Sequence, residues 1–548
     1  MNVYNTLLRF IVLNISITKI IPYKHHSIGA GFIRSSLLKK NQWNLAIESS
    51  STDDFAPIDR IVFNGGGAKG TGNPGICQAL HDCGIFPGIK SISGASVGSL
   101  TAAIMAVGMK PDDFREAMLH MDMVSMLNHR VFTGPNIVPG ITSSLDKIER
   151  FVNNNLIHTT QDFLKSQLNL STEIQLIYDA ISEDDHQLSF GELYLLHKAY
   201  PKQFKTLSIP AVALGSSNLT IFDHHKTKNV SIAKACIASS ALPILFAPVK
   251  INNVYYYDAV LVNPLPSEYF INDNPDEDWI QTKDNEKIIL FLFHHDAYQE
   301  ALLNKTTIHW SAEKRVLFAI DNIIGPVVNT LYFANNMALF LAKCLVYSTM
   351  LPFIYLTKGA NRVNTHLEEL ADIHKLLTTQ PIVLNVYNVS TKLYTKIRDQ
   401  YSEKTVLLHT GDIWGNSFSK ATKVADVMHA LFYLDTITYL MRHNLHDGRF
   451  FKNESEFDDQ LWLELSNVKP NITQIITSND TYSRYNEIKK LANDDHESDI
   501  AIALKTATRS LIEKNNLKQT PARHIASFFH HRHNATLTKG QRVDITMK

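Results

Sequence analysis

Cysteine is scarce in this chain. Four occur in 548 residues, Cys77, Cys83, Cys236 and Cys344, and their spacing fits neither a disulfide framework nor a zinc site. Free thiols, and with them a cytosolic compartment, are the expectation. Net charge is absent too: Lys+Arg and Asp+Glu are 53 each. No global field attracts a polyanion, so nucleic acid is not an expected partner. The 24 histidines should make the chain more positive as pH falls through about 6.5. A secretory signal is not expected either. Leu7 to Ile21 is apolar but carries Arg9, Asn14 and Lys19 within it, whereas a signal has its charges first and a small-residue cleavage site after. This stretch is expected to pack on the body as a strand or helix. The longest apolar region, Val316 to Leu356, is interrupted by Asn335, Asn336, Lys343 and Pro352. It falls short of the roughly 20 uninterrupted apolar residues that cross a bilayer. It reads either as a pair of core helices or as a lid or membrane-docking helix.

What is present is an alternation of short apolar strands and helical segments. Ser49 to Asp54 is linker-like and Pro57 marks its end. Ile61 to Phe63 fits a buried parallel strand. Ile76 to Cys83 has helical spacing with Gly84 as its stop. Ile89 to Ser93 is a second strand, and Leu100 to Val107 a buried helix stopped at Gly108. Asp112 to Leu127, Leu145 to Leu156 and Phe190 to His197 also have helical spacing. Leu207 to Leu214, Leu219 to Phe222, Asn253 to Tyr257 and Ile288 to Phe293 read as strands, and Val406 to His409 as the last of the sheet. Ala425 to His443 is expected to be an amphipathic helix. After Gly448 the composition turns polar, with helical spacing over Tyr485 to Leu491 and Ser498 to Lys514, and a basic end that includes His530, His531 and His533. That end is read as solvated, or as a membrane-surface contact. Three units result: an N-terminal arm over 1–57, a catalytic α/β domain over 58–447, and a C-terminal helical module over 448–548. The strand–helix order implies a mainly parallel sheet covered on both faces.

Two glycine-bearing turns carry the chemistry. Gly65-x-Gly67-x-x-Gly70 follows the first strand and matches a dinucleotide fingerprint. That fingerprint needs an acidic residue about 20 positions on, at the end of the second strand. The second strand ends instead in Ser91-Ile92-Ser93-Gly94. It continues as Gly94-Ala95-Ser96-Val97-Gly98, a G-x-S-x-G between strand and helix, the setting of a nucleophile elbow. There Ser96 is the candidate nucleophile, and the helix N-terminus behind it favours developing negative charge. Gly65, Gly66, Gly67 and Gly70 can aim backbone amides into one cavity as an oxyanion hole. Lys69 either adds positive charge there or is an exposed loop lysine. Serine needs a base, and no histidine has a diagnostic local context. Asp258, after Tyr255-Tyr256-Tyr257 and before Asn263-Pro264, is the carboxylate that stands out. The pairs His224-His225 and His294-His295, beside Asp223 and Asp296, suggest a metal at first sight. Neighbours on a strand face opposite ways, so no metal is expected.

These blocks together resemble the patatin-like phospholipase family. Gly65–Gly70 resembles its oxyanion loop and Gly94–Gly98 its serine elbow. Ala238-Ser239-Ser240-Ala241-Leu242-Pro243 with Phe246-Ala247-Pro248, then Asp258 with Asn263-Pro264, resemble its two later blocks. The resemblance covers roughly Ile58 to Pro266, and more loosely Val406 to Leu440. It implies a Ser96–Asp258 dyad without histidine, metal or cofactor. That dyad would cleave acyl esters of phospholipids through an acyl-enzyme, at a phospholipid membrane. One departure is Ala259, where the family has glycine. If that position needs positive φ, alanine is strained by roughly 1–2 kcal/mol, and a weak or silent site acting as a binding module becomes the alternative. The layout of the whole chain resembles the VipD-type phospholipases that Legionella-like bacteria inject into host cells. That looser resemblance implies a secreted, membrane-associated effector and a host protein activator at the C-terminal module.

Overall fold

β1 (Arg60–Phe63) lies between β2 (Ser91–Gly94) and β7 (Ile288–His294), parallel to both. Its four residues are buried, as a central strand with apolar run Ile61-Val62-Phe63 requires. The structure, a computed structural model, describes residues 57–120, 145–266, 287–294, 401–478 and 481–519. Within these, 184, 214–218, 243–245, 247, 412, 414 and 416 are not described, and between 337 and 371 only isolated positions are. The N-terminal arm before Pro57, residues 121–127, the charged segments 273–278 and 282–286, most of 316–356 and the His530–His533 end therefore lie outside the described residues.

The sheet has eight strands in the order β5-β6-β3-β2-β1-β7-β8, with β4 also on β3. β3 (Thr206–Ala213) and β8 (Thr405–His409) extend the parallel part. β4 (Leu219–Phe222), β5 (Val249–Ile251) and β6 (Val254–Tyr257) pair antiparallel. The fold is thus α/β with a mixed, mostly parallel sheet. β5 is a strand that hydrophobic pattern alone misses. Its link to β6 is Asn252-Asn253, both at positive φ (48° and 65°), the conformation of a two-residue hairpin turn.

α1 (Asn73–Asp82) has Pro74 in its first turn, and the chain leaves it through Gly84 at φ 70°. α2 (Val97–Ala106) starts directly after the elbow and ends before Gly108 at φ 71°. α3 (Pro111–His120), α4 (Asp146–Lys165), α5 (Thr172–Ala180), α6 (Phe190–Ala199) and α7 (Ile232–Ser239) complete the first half. Ser189 and Glu192 form a full capping box on α6.

α8 (Phe418–Lys423) leads into α9 (Ala425–Arg442), and the C-terminal helices are α10 (Glu454–Val468), α11 (Ile472–Ile475), α12 (Thr481–Asp494) and α13 (Asp499–Gln519). α9 corrects the sequence expectation. It is buried almost all the way round, because α1, β8 and α13 pack on different sides of it, and a helix without a wet face loses its amphipathic pattern. One apolar core runs from Ile61 and Ile92 through Phe432 to Phe457 and Leu504.

Candidate active site

Ser96 sits between β2 and α2 at φ 53°, ψ −127°. This region is costly for a residue with a Cβ, and surrounding structure must hold it. Space at the turn explains the flanking glycines. A Cβ on Gly94 would come within 2.2 Å of the Gly98 carbonyl oxygen, and one on Gly98 within 2.6 Å of the Phe63 carbonyl oxygen. The turn is closed by Gly98 N–H to the Ala95 carbonyl (2.8 Å), and by the Ser99 amide (2.8 Å) and hydroxyl (2.6 Å) to the Ser96 carbonyl.

Asp258 follows β6, and strand register brings it to the serine. β2 ends on β3 at Ser93 opposite Ser208, while Tyr257 pairs with Val212. The residue after Tyr257 therefore enters at the level where β2 has just ended. The Ser96 hydroxyl donates to Asp258 Oδ2 at 2.8 Å. The Val260 N–H donates to Oδ1 at 2.9 Å, so both carboxylate oxygens are engaged. Asp258 is 2% exposed and Ser96 7%. Burial lifts the Asp258 carboxyl to about 7, although the Val260 amide and the Ser96 hydroxyl each pull it down. Among the described residues no imidazole is hydrogen-bonded to either side chain.

The glycine loop lies against this pair. A Cβ on Gly65 would fall 3.1 Å from Ser96 Cβ and 2.4 Å from Val260 Cγ1, and one on Gly70 would strike Val97. The loop's amides are not equivalent. Gly65 N–H donates to the Pro264 carbonyl (2.8 Å), Ala68 N–H to the Gly415 carbonyl (2.8 Å), and Lys69 N–H to the Gly66 carbonyl (3.3 Å). Gly70 is buried inside a 3-10 turn over Gly67–Gly72. Gly66 and Gly67 open that turn, and among the described residues their amides have no hydrogen-bond acceptor. Gly67 is at φ 57°. The five loop residues expected to act together thus divide. Gly66 and Gly67 offer free donors, while the Gly65 amide is already used and its missing side chain makes room for Ser96. Lys69 is half-buried and contributes its stem beside Gly66.

Ala259 is fully buried in a 3-10 turn over Ala259–Leu261 and is not among the positive-φ residues. The strain envisaged from its replacing glycine does not arise, because the backbone there is one that alanine adopts freely.

Ser239, which the sequence marks only as part of the Ala238–Pro243 block, has a definite place at the elbow. Its hydroxyl accepts the Ser96 N–H at 3.0 Å. It is fully buried at the C-terminal end of α7, and so fixes the backbone of the strained residue. The histidine pair also differs from expectation. His224 and His225 lie in a turn, not on a strand, with ring centroids 4.0 Å apart and Tyr194 stacked on His224. Asp223 Oδ1 is occupied by the amides of His225 and Lys226. The His294 side chain and residues 295–296 lie outside the described residues.

Residues 61–271 match the family model described as patatin-like phospholipase. This chain carries a patatin-like phospholipase domain. The patatin-like domain contains the glycine loop, the elbow and the aspartate segment together. The chain is 23% identical over 217 residues to an uncharacterized protein of Acanthamoeba polyphaga mimivirus, covering 39% of this chain and 62% of that one. It is 23% identical over 226 residues to a probable lipid hydrolase of Invertebrate iridescent virus 6, covering 40% and 67%. Among solved structures it is similar to VipD from Legionella pneumophila, at 18% identity and TM-score 0.41 over 84% of this chain and 85% of that one. It is also similar to the heterodimeric complex ExoU–SpcU of the type III secretion system of Pseudomonas aeruginosa, at 17% identity and TM-score 0.34 over 85% and 90%. No helix among the described residues is long and apolar enough to cross a membrane.

Proposed function

We propose that the protein is a lipid acyl hydrolase of phospholipase A type, working through Ser96 and Asp258. The observation that carries this reading is the 2.8 Å hydrogen bond from the Ser96 hydroxyl to a carboxylate that has no other side-chain partner among the described residues. The family match and the probable lipid hydrolase relative support lipid esters as the substrate class.

Ionised Asp258 takes the Ser96 proton as Oγ attacks the acyl carbonyl. With its carboxyl near 7, Asp258 is a far better base than an ordinary carboxylate and still half ionised at neutral pH. The negative charge on the carbonyl oxygen is met by the Gly66 and Gly67 amides and by the N-terminus of α2. Collapse breaks the ester bond, and Asp258 returns the proton to the leaving lysolipid alkoxide. Water then attacks the acyl-enzyme, giving its proton to Asp258, and the fatty acid departs as Ser96 recovers its hydrogen. No histidine or cofactor enters this sequence.

The substrate surface in this reading is a phospholipid membrane. A protein activator from a host cell is proposed to dock on the C-terminal helices, where Leu463 and Ile502 are 58% and 48% exposed. The test is fatty-acid release from phosphatidylcholine vesicles, run with and without host-cell extract. Ser96→Ala should abolish release under both conditions, and retained release removes the dyad.

A further inference from the structure

The Gly66 and Gly67 amides are held from outside the glycine loop, by the link that follows β8. The Gly415 carbonyl on that link accepts the Ala68 N–H at 2.8 Å. The same oxygen lies 2.2 Å from where a Cβ on Gly67 would stand, and a Cβ on Gly415 would come 3.2 Å from the Gly66 carbonyl oxygen. Gly415 thus packs on three consecutive residues, Gly66, Gly67 and Ala68. The far end of the same 3-10 turn rests on α9, where a Cβ on Gly72 would meet the Phe432 ring at 2.6 Å.

The root of this link is bound to the C-terminal helices. Asp435, on α9 one turn beyond Phe432, accepts the His409 amide on Oδ2 (2.8 Å), and its Oδ1 takes the His409 ring at Nδ1 (2.8 Å) and Lys489 Nζ of α12 (2.7 Å). Burial favours a neutral carboxyl there, but His409 and Lys489 outweigh it and keep Asp435 ionised. An ionised carboxylate only accepts, so Nδ1 carries its hydrogen toward it. Two residues on, the chain turns at Gly411, φ 52°. A Cβ there would meet the Asn493 carbonyl oxygen of α12 at 2.2 Å and His496 Cε1 at 2.4 Å. Asp435, Lys489, Asn493 and His496 are all buried. A buried ion network seldom stabilises more than apolar packing of the same volume would. What hydrogen bonds add to packing is direction, and here they aim the end of β8.

We propose that His409 and Gly415 are positioning residues of the oxyanion hole. α9 and α12 hold the root of the link through Asp435, and the link holds the Gly66 and Gly67 amides at the angle a developing oxyanion requires. The proposal rests on the lipid acyl hydrolase reading and deepens it. The donors come from the N-terminal half of the chain, but their aim comes from residues more than 300 positions later. A displacement of about 1 Å in such donors costs on the order of 100-fold in rate.

The test uses the full-length protein, a soluble short-chain ester (4-nitrophenyl butyrate) and a trifluoromethyl ketone inhibitor, whose hemiketal oxygen occupies the oxyanion hole. His409→Ala removes the ring bond to Asp435 and leaves the backbone bond and the Asp435–Lys489 pair in place. Its kcat should fall by about tenfold or more, with KM within about twofold, and the ketone should bind more weakly by the same factor. The pH at which activity reaches its plateau, set by Asp258, should not move. His409→Asn, whose side-chain N–H can replace Nδ1–H, should restore part of kcat and of ketone affinity. Gly415→Ala presses on the Gly66 carbonyl directly and serves if His409→Ala does not fold, as circular dichroism would show. Parental kcat and parental ketone affinity in the folded variants overturn the positioning role and leave the dyad standing. A loss of activity that only follows the loss of folded protein, with kcat per folded molecule unchanged, overturns it as well. Hydrolysis by the parent that Ser96→Ala does not abolish removes the hydrolase reading itself, and this proposal with it.

Discussion

At Asp258 the proposed chemistry works against the stability of the fold, and Asp258→Asn separates the two. The carboxyl is raised from the ordinary 3.8 to about 7, with burial as the leading cause. A group whose folded value exceeds its unfolded value binds protons more tightly when folded, so stability falls as pH rises between the two values. Three units at 1.36 kcal/mol each give an upper bound of ~4 kcal/mol for the cost above pH 7, of which about 1.6 kcal/mol is already incurred at pH 5. Asparagine keeps an acceptor for the Val260 amide and a polar group against Ser96, and it never ionises. The stability of Asp258→Asn relative to the parent should therefore rise by about 2–3 kcal/mol between pH 5 and pH 8. Urea denaturation of both proteins at the two pH values measures this. Asp82 and Asp458 are also raised to about 7, but they titrate in both proteins and cancel in the difference. Fatty-acid release should fall by roughly a thousandfold in the same variant, since it has no base. A stability difference that does not change with pH, or a variant with parental turnover, would rule out Asp258 as a buried base with a raised carboxyl.

Two further expectations concern Ser239, which holds the Ser96 backbone, and Asp435, buried on α9. Ser239→Ala leaves the Ser96 amide without its acceptor; turnover should drop by about tenfold with little change in KM, and Ser239→Thr should restore part of it, as steady-state kinetics would show. Asp435 is a buried hub, bonded to the His409 amide and ring and to Lys489 Nζ. Burial alone would raise its carboxyl, but His409 and Lys489 outweigh that and hold it well below the ordinary range. Its contribution is present above the ordinary carboxyl value and lost only as pH falls through the lowered one. Lys489→Met should cost about 3 kcal/mol or more in a denaturation series at pH 7, because it leaves a buried charge short of a partner.

The parts of this architecture that were legible in the sequence are those where backbone constraint shows in residue choice. Gly94 and Gly98 leave no room for side chains, so G-x-S-x-G between a strand and a helix announces the elbow. Gly84 and Gly108 mark helix ends because the chain leaves each helix there at positive φ. Asp258 was less legible. A strand-end aspartate is common; its place between Tyr255-Tyr256-Tyr257 and Asn263-Pro264 made it stand out, but its role as base came from the family likeness, because its pairing with Ser96 depends on register across β3. Ser239 was invisible in its role. Ser239 and Ser240 are adjacent and chemically identical, and the direction each points is set by the end of α7. The glycine loop was legible as a stretch, but which of its amides stay free among the described residues is decided by Pro264 and Gly415, far along the chain. The β5–β6 hairpin had a local signal in Asn252-Asn253 that hydrophobic pattern does not register. The burial of α9 had none, since it arises from elements packed on it from both halves of the chain.

The proposed activation of the Ser96 hydroxyl by Asp258 is measured most directly by the rate of covalent labelling by a fluorophosphonate. Mass spectrometry of the digested full-length protein should locate a single adduct on Ser96. Labelling should rise with pH to a plateau above about 7, slow sharply in Asp258→Asn and vanish in Ser96→Ala. Labelling that persists unchanged in Ser96→Ala, or a parent protein that takes no label, would contradict it.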